Sequence, residues 1–418
     1  MAQISMKNIP NELLSKFKIY SGVNKEFESI FNKNKKLNIK NISDLFIEIE
    51  VLNNLIHTNF GYEICYDIRY WNLNSNFNIN FLSLDLSRSS IYELPEIFGK
   101  ITIRGTLNLS YNELKSLPEN FGEITVGGDL NLSRNQIKTL PKSFGKIKVG
   151  GDLNLSRNQI KTLPKSFGKN TFIGGNLDLS YNELKSLPRN FIYIIVGINI
   201  YLQNNDLSIL PKNFGGTKTN PFKINGSLFL FFNLLIELPK NFFQIKVVGD
   251  LILSFNQLKT LPKSFVIKIG GDLDLSNNKL KTLPENFGNL QNGGILDLSH
   301  NQLEKLSKNF GNIQIGGDLF LSHNQLSRLP LSFCKLKVFG NLDVSNNLIK
   351  VLPNEIGKII VKGSFNLSIN QLEKVPFSIL KITICGDLDL SKNNFKNLIL
   401  PELCNVKGYL IDDSIDDY

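Results

Sequence analysis

The sequence predicts a repeat solenoid of the α/β type, and three observations carry that prediction. A stretch from Gly127 to Lys146, GGDLNLSRNQIKTLPKSFGK, recurs letter for letter from Gly150 to Lys169. One position then returns in unit after unit: Ser89, Asn112, Asn135, Asn158, Asn182, Asn205, Asn233, Asn256, Asn278, Asn301, Asn324, Asn347, Asn370 and Asn393. Most steps are 23 residues, with 22 and 28 as the extremes. Finally, apolar residues come back at fixed offsets inside each unit. A fixed period in this range marks an architecture in which each unit buries its apolar side against its neighbours. At 418 residues a length prior of roughly 150 residues per domain would suggest two or three domains. The repeat overrides it and predicts one elongated body over residues 81–405.

Residues 1–80 lack the repeat. Pro10 followed by Leu13, Leu14 and Phe17 fits a short helix with proline in its first turn. Phe27, Ile30 and Phe31, and then Ile42, Leu45, Phe46 and Ile49, recur at helical spacing. EICYDIRYWNLN alternates and is aromatic, which favours strand. The segment reads as a mainly helical cap over the first repeat, since a solenoid needs atypical terminal units. Its IPNELL resembles the opening of an F-box, which would imply a ubiquitin-ligase adaptor acting through residues 1–40. The Trp-centred end of that pattern does not follow at the right spacing, and capping is the preferred reading. Residues 406–418 form an acidic tail ending DDSIDDY.

Within a unit such as LNLSRNQIKTLPKSFGKIKVGGD, the two leucines of L-x-L point to one face and the residue between them to the other, as in a short strand. The following Asn carries both donors and an acceptor. At a fixed position in stacked turns it can satisfy backbone groups where the chain leaves the strand. Proline then fixes φ and stops further pairing. A phenylalanine three residues later supplies another core row, from Phe98 through Phe333. The Gly-Gly pair before the next strand suggests a tight return through positive φ.

These positions resemble the leucine-rich-repeat family, in its short form L-x-L-x-x-N-x-L-x-x-LP, over about residues 82–405. The resemblance implies a right-handed, curved solenoid with a parallel concave sheet and a convex side of turns or 3₁₀ segments. Where the family usually has a leucine, three residues before L-x-L, this chain has Gly150, Gly174 or Gly270. Val149 or Ile269 beside it is expected in the core. With strands about 4.8 Å apart, fourteen units give an inner face about 60 Å long, a surface built for contact.

The residue between the two leucines faces the concave side. Most are polar, but Tyr201, Phe229 and Ile252 are three large apolar residues in succession, with Phe231, Phe232 and Phe255 just beyond the strands. Aromatic clusters rimmed by polar groups mark interaction sites. These six residues form the candidate partner site. The long unit's insertion, GTKTNPFKIN, falls beside them in sequence and could either frame or cover them.

The net charge is +10, but its placement argues against a nucleic-acid groove. Lysines such as Lys115, Lys138, Lys161 and Lys185 lie past the strand, and Lys142, Lys165 and Lys212 follow the proline. Asp129, Asp152, Asp250, Asp272, Asp318 and Asp387 precede the first strand leucine, so the concave side leans acidic. Phosphate-tracking grooves need the opposite sign. Weak RNA or anionic-membrane binding by the basic outer surface stays an alternative.

No phosphate loop, nucleophile elbow or H-E-x-x-H motif occurs. His300 and His323 occupy one position in adjacent repeats but have no cysteine partner for a metal. The cysteines Cys65, Cys334, Cys385 and Cys404 show no ligand or framework spacing and read as free thiols. N-x-S triplets at Asn108, Asn131 and Asn154 are by-products of the repeat. No apolar run of about 18 residues suggests a membrane span, and the N-terminus lacks a signal-like apolar core. Abundant Asn, Lys and Ile read as the coding bias of an AT-rich genome, such as a giant DNA virus or a protist. The expected function is a non-enzymatic, intracellular, cytoplasmic protein-interaction scaffold without cofactor or metal.

Overall fold

The computed structural model describes residues 80–81, 83–94, 96–395 and 406–412. The expected cap up to residue 79, with its F-box-like opening, lies outside them, as do Cys65, Cys404 and the tail beyond residue 412.

Each L-x-L forms a two-residue strand. These strands pair in parallel, leucine on leucine, as in Leu130↔Leu153 and Leu153↔Leu177. They build one 15-stranded sheet in chain order, from Leu84–Asp85 to Leu410–Ile411. The leucines are buried and the intervening residue is half-buried, as at Leu153–Asn154.

The expected outer side of turns and 3₁₀ segments is correct but incomplete. Each repeat also carries a second two-residue strand, such as Lys148–Val149, with an exposed and a buried residue. These strands form a second parallel sheet in two portions. A six-stranded portion ends at Ile195–Val196, and an eight-stranded portion begins at Lys223–Ile224. The break falls at the long repeat. Its Phe222 enters the core edge-on, with ring centroids 5.4 Å from Phe214 and 6.1 Å from Phe191. Val149 and Ile269 hold the core positions expected of them.

Between the sheets run 3₁₀ turns such as Lys142–Lys146, closed by the Ile147 N–H donating to the Phe144 carbonyl. Among the described residues every helical segment is of this type. The phenylalanines are fully buried and stack, with Phe121, Phe144 and Phe167 spaced 6.3 Å apart. Ile356 and Ile379 continue the column in the last units.

The asparagine column closes the first turn. Asn158 Oδ1 accepts the N–H of Ile137 in the preceding unit at 3.0 Å. Its Nδ2 donates to the carbonyls of Leu132 at 3.0 Å and of Leu155 at 3.1 Å. The same bonds recur from Asn112 to Asn393. A second column uses the residue before L-x-L. Asp129 Oδ1 accepts the Asp152 N–H at 2.8 Å, and Asp152 Oδ1 accepts the Asn176 N–H at 2.6 Å. Asp250 and Asp272 do the same for the next unit. The acidic lean of the inner side is therefore largely structural, because these carboxylates are engaged with backbone.

The glycine pair serves space rather than φ. Among the described glycines, positive φ occurs only at Gly168 and Gly216, outside the pairs. A Cβ on Gly150 would sit 1.9 Å from the Gly127 carbonyl oxygen, and one on Gly151 would sit 2.1 Å from Asp129 Oδ1. Positive φ falls instead on the residue before the column asparagine, which is never glycine: Tyr111, Arg134, His300 and Ile369 all lie between 52° and 55°. That region costs an L-residue about 1–2 kcal/mol, and a β-branched side chain fits it worst. Asn204, Asn277 and Asn346 fill it with the side chain that tolerates it best.

Two predictions follow from these positions. Ile369→Asn should raise stability by about 1 kcal/mol in chemical denaturation; an unchanged or lower midpoint would remove the strain assigned to this row. The second concerns Asp297, whose Oδ1 accepts the Ser299 N–H at 2.8 Å. Burial pushes its pKa up, against the opposing hydrogen bonds from Ser299, with the nearby Asp274 charge adding to the rise. An acid raised in the folded state destabilises the fold above its folded pKa, and the penalty fades as pH falls through that value. Asparagine keeps the acceptor, as Asn131 does for Ser133 at 3.0 Å. Asp297→Asn should therefore melt higher than the parent at pH 7, with the gap closing by about pH 3, below the ordinary aspartate pKa. A lower melting temperature at pH 7 would contradict this.

Candidate functional site

The concave row is capped wherever it is polar. Asn108, Asp178, Asp274 and Asp343 each accept the N–H of the serine two residues on. Such a side chain is occupied by its own turn. At Tyr201, Phe229 and Ile252 this local bond is missing and large side chains take its place, two of them rings; Phe320 does the same singly, farther along the row. Registers Asp178↔Tyr201, Tyr201↔Phe229, Phe229↔Ile252 and Ile252↔Asp274 set the three side by side with aspartate on both flanks.

The structure brings all six sequence-selected residues together. Tyr201 and Phe229 stack with centroids 4.8 Å apart and planes parallel within 1°. Phe229 meets Phe231 edge-on at 6.4 Å, and Phe231 meets Phe232 at 5.7 Å. Phe232 stacks on Phe255 at 4.3 Å. Five rings thus run without a break from the concave sheet onto its flank. Tyr201, Phe229, Phe231 and Ile252 are half-buried, whereas Phe232 and Phe255 are 47% and 44% exposed. The Tyr201 hydroxyl accepts from Asn199 Nδ2 at 3.1 Å, and the amide oxygen of Gln203 beside the rings is buried without a partner.

Sequence reading missed part of this surface. Leu234 and Ile236 are exposed on the same flank, where the identical units carry Gln136 and Lys138, then Gln159 and Lys161. Departure from the repeat was the available signal. The insertion does not cover the patch. Gly216 and Pro221 form an antiparallel bridge, and Asn241 Nδ2 donates to the Gly216 carbonyl beside the 3₁₀ turn Phe242–Gln244. It therefore closes on the 3₁₀ side, between Phe214 and the second sheet.

Other candidates carry less. His300 and His323 stack with centroids 4.2 Å apart, but no group of three or more His, Cys, Asp or Glu among the described residues could hold a metal ion. Cys334 and Cys385 are free, and burial pushes the Cys334 thiol up, away from nucleophilic use. No helix among the described residues is long and apolar enough to cross a membrane.

A sequence profile of the Leucine Rich Repeat family matches residues 272–290. The comparison with curated proteins finds no match. Among solved structures, a leucine-rich-repeat protein of Leptospira interrogans is 25% identical, with 76% of this chain and 91% of that one covered and a TM-score of 0.48. The Yersinia pestis leucine-rich effector YopM is 22% identical, with coverages of 79% and 88% and a TM-score of 0.47. The Drosophila Toll–Spätzle complex gives 19% identity, a TM-score of 0.51, and coverage of 77% of this chain but 53% of that one; this likeness bears on the fold alone. With its leucine and asparagine columns continuous through the paired strands and the family profile matching one of its units, the chain has the leucine-rich-repeat fold.

Proposed function

We propose that this chain is a non-enzymatic interaction scaffold that docks a protein partner through the rings of Tyr201, Phe229, Phe231, Phe232 and Phe255, with Ile252, Leu234 and Ile236 around them. The observation that carries the reading is the unbroken run of five rings on a row whose other described positions, apart from the separate Phe320 and Ile411, are polar and self-capped. Contiguous exposed apolar surface on a folded chain marks a contact site, and tyrosine is enriched among the residues that dominate binding energy. The aspartates on both sides, Asp178 and Asp274, supply a polar rim. Free thiols at Cys334 and Cys385 support an intracellular setting.

The test is affinity capture with the full chain and with Tyr201→Ala combined with Phe229→Ala. Both side chains leave the sheet rather than enter the leucine core, so the variant should keep its far-ultraviolet spectrum. It should lose a protein that the parent retains, by about tenfold or more in affinity. An unchanged set of captured proteins with the fold intact would remove the patch from the account.

A further inference from the structure

The row that holds the left-handed residues is also a surface. In the first five units it reads Arg88, Tyr111, Arg134, Arg157 and Tyr181, all exposed. The Arg88 guanidinium carbon lies 4.8 Å from the Tyr111 ring centroid, and that of Arg134 lies 4.8 Å from the same ring. Arg157 lies over Tyr181 at 4.1 Å. Stacking on an aromatic ring holds a guanidinium in place and leaves its N–H fork free for a planar anion. Among the described residues none of these three arginines has a carboxylate partner; the ion pairs there are Lys161–Glu183 and Lys358–Glu355. Lys138 adds exposed positive charge on the same flank, where Lys161 is already paired with Glu183.

We infer that this column binds the carboxylates of an extended acidic segment in the protein partner, resting on the reading that the aromatic patch docks a protein. Two features favour a peptide over nucleic acid. Arginines stack on both sides of Tyr111 and on one side of Tyr181, which leaves a single tyrosine face in the column for a base to stack upon. The row also runs on through Asn204 into Phe232 and Phe255, so a chain lying along it passes from the arginines to the apolar patch. Seven steps of about 4.8 Å separate Arg88 from Phe255, a span of roughly ten extended residues. The guanidinium forks recognise carboxylates two bonds at a time, and the rings at the far end take the segment's apolar residues.

The test uses the full chain and fluorescence anisotropy with three probes: a labelled peptide of alternating Glu and Ser, the same peptide with Gln for Glu, and an oligothymidylate of equal length. The Glu peptide should bind, weaken as salt rises, and bind better than both other probes. The combined variant Arg88→Gln, Arg134→Gln, Arg157→Gln should lose about tenfold or more of that affinity. Lysine at the same three positions should recover only part of it, because lysine keeps the charge without the fork. These side chains are exposed, so an unchanged melting temperature shows that the fold is kept. Because the probe has no apolar residue, its binding should be unchanged in the Tyr201/Phe229 variant, and the two readings fail separately. Equal binding of the Glu and Gln peptides, full affinity in the glutamine variant, full recovery by lysine, or tighter arginine-dependent binding of the oligonucleotide would each overturn the inference.

Discussion

From Asn112 to Asn393, each described turn leaves its L-x-L strand through a backbone bend that no L-residue favours, and the side chain of one asparagine closes that bend. The asparagine accepts an N–H from the unit before it and donates to carbonyls of both units, as at Asn158. A buried amide or carbonyl left without a partner costs about 1–3 kcal/mol, so each asparagine removes several such penalties at once. It does so only when the neighbouring unit is in register. Stacking and turn formation are therefore one event, and the leucine and phenylalanine columns follow from the same register.

Polar residues on the inner side divide according to this constraint. The carboxylates of Asp129, Asp152, Asp250 and Asp272 are bound to the next unit's backbone. Those of Asp178, Asp274 and Asp343 are bound within their own turn. What looks in sequence like an acidic groove is mostly internal hydrogen bonding. Contact chemistry is left to positions where such a bond is absent. Those are the rings around Phe229 and the left-handed column, where strain at φ near 50° is offset by side chains stacked on one another.

The period, the leucine faces and the asparagine column were legible because they repeat at fixed spacing. The aromatic patch was legible as a local failure of the repeat. The second sheet was not, because a pair such as Lys148–Val149 is too short to show alternation. The glycine pair misled for a related reason: sequence cannot separate a glycine needed for φ from one needed because the carbonyl of the preceding unit is close, as at Gly150. Leu234 and Ile236 were not legible because single aliphatic residues past the strand read the same whether buried or exposed. The insertion's course depended on Phe222 entering the core, a long-range contact with Phe191 and Phe214 that no local pattern announces.

The central claim is that the asparagine column couples neighbouring units. Hydrogen exchange on the Asn158→Ala chain tests it most directly. The account predicts that the Ile137 N–H loses protection, that slowed exchange also weakens in the units on either side, and that global stability falls by about 2–4 kcal/mol. Retained protection at Ile137 with a loss below about 1 kcal/mol would mean that apolar stacking alone holds the register, and would contradict it.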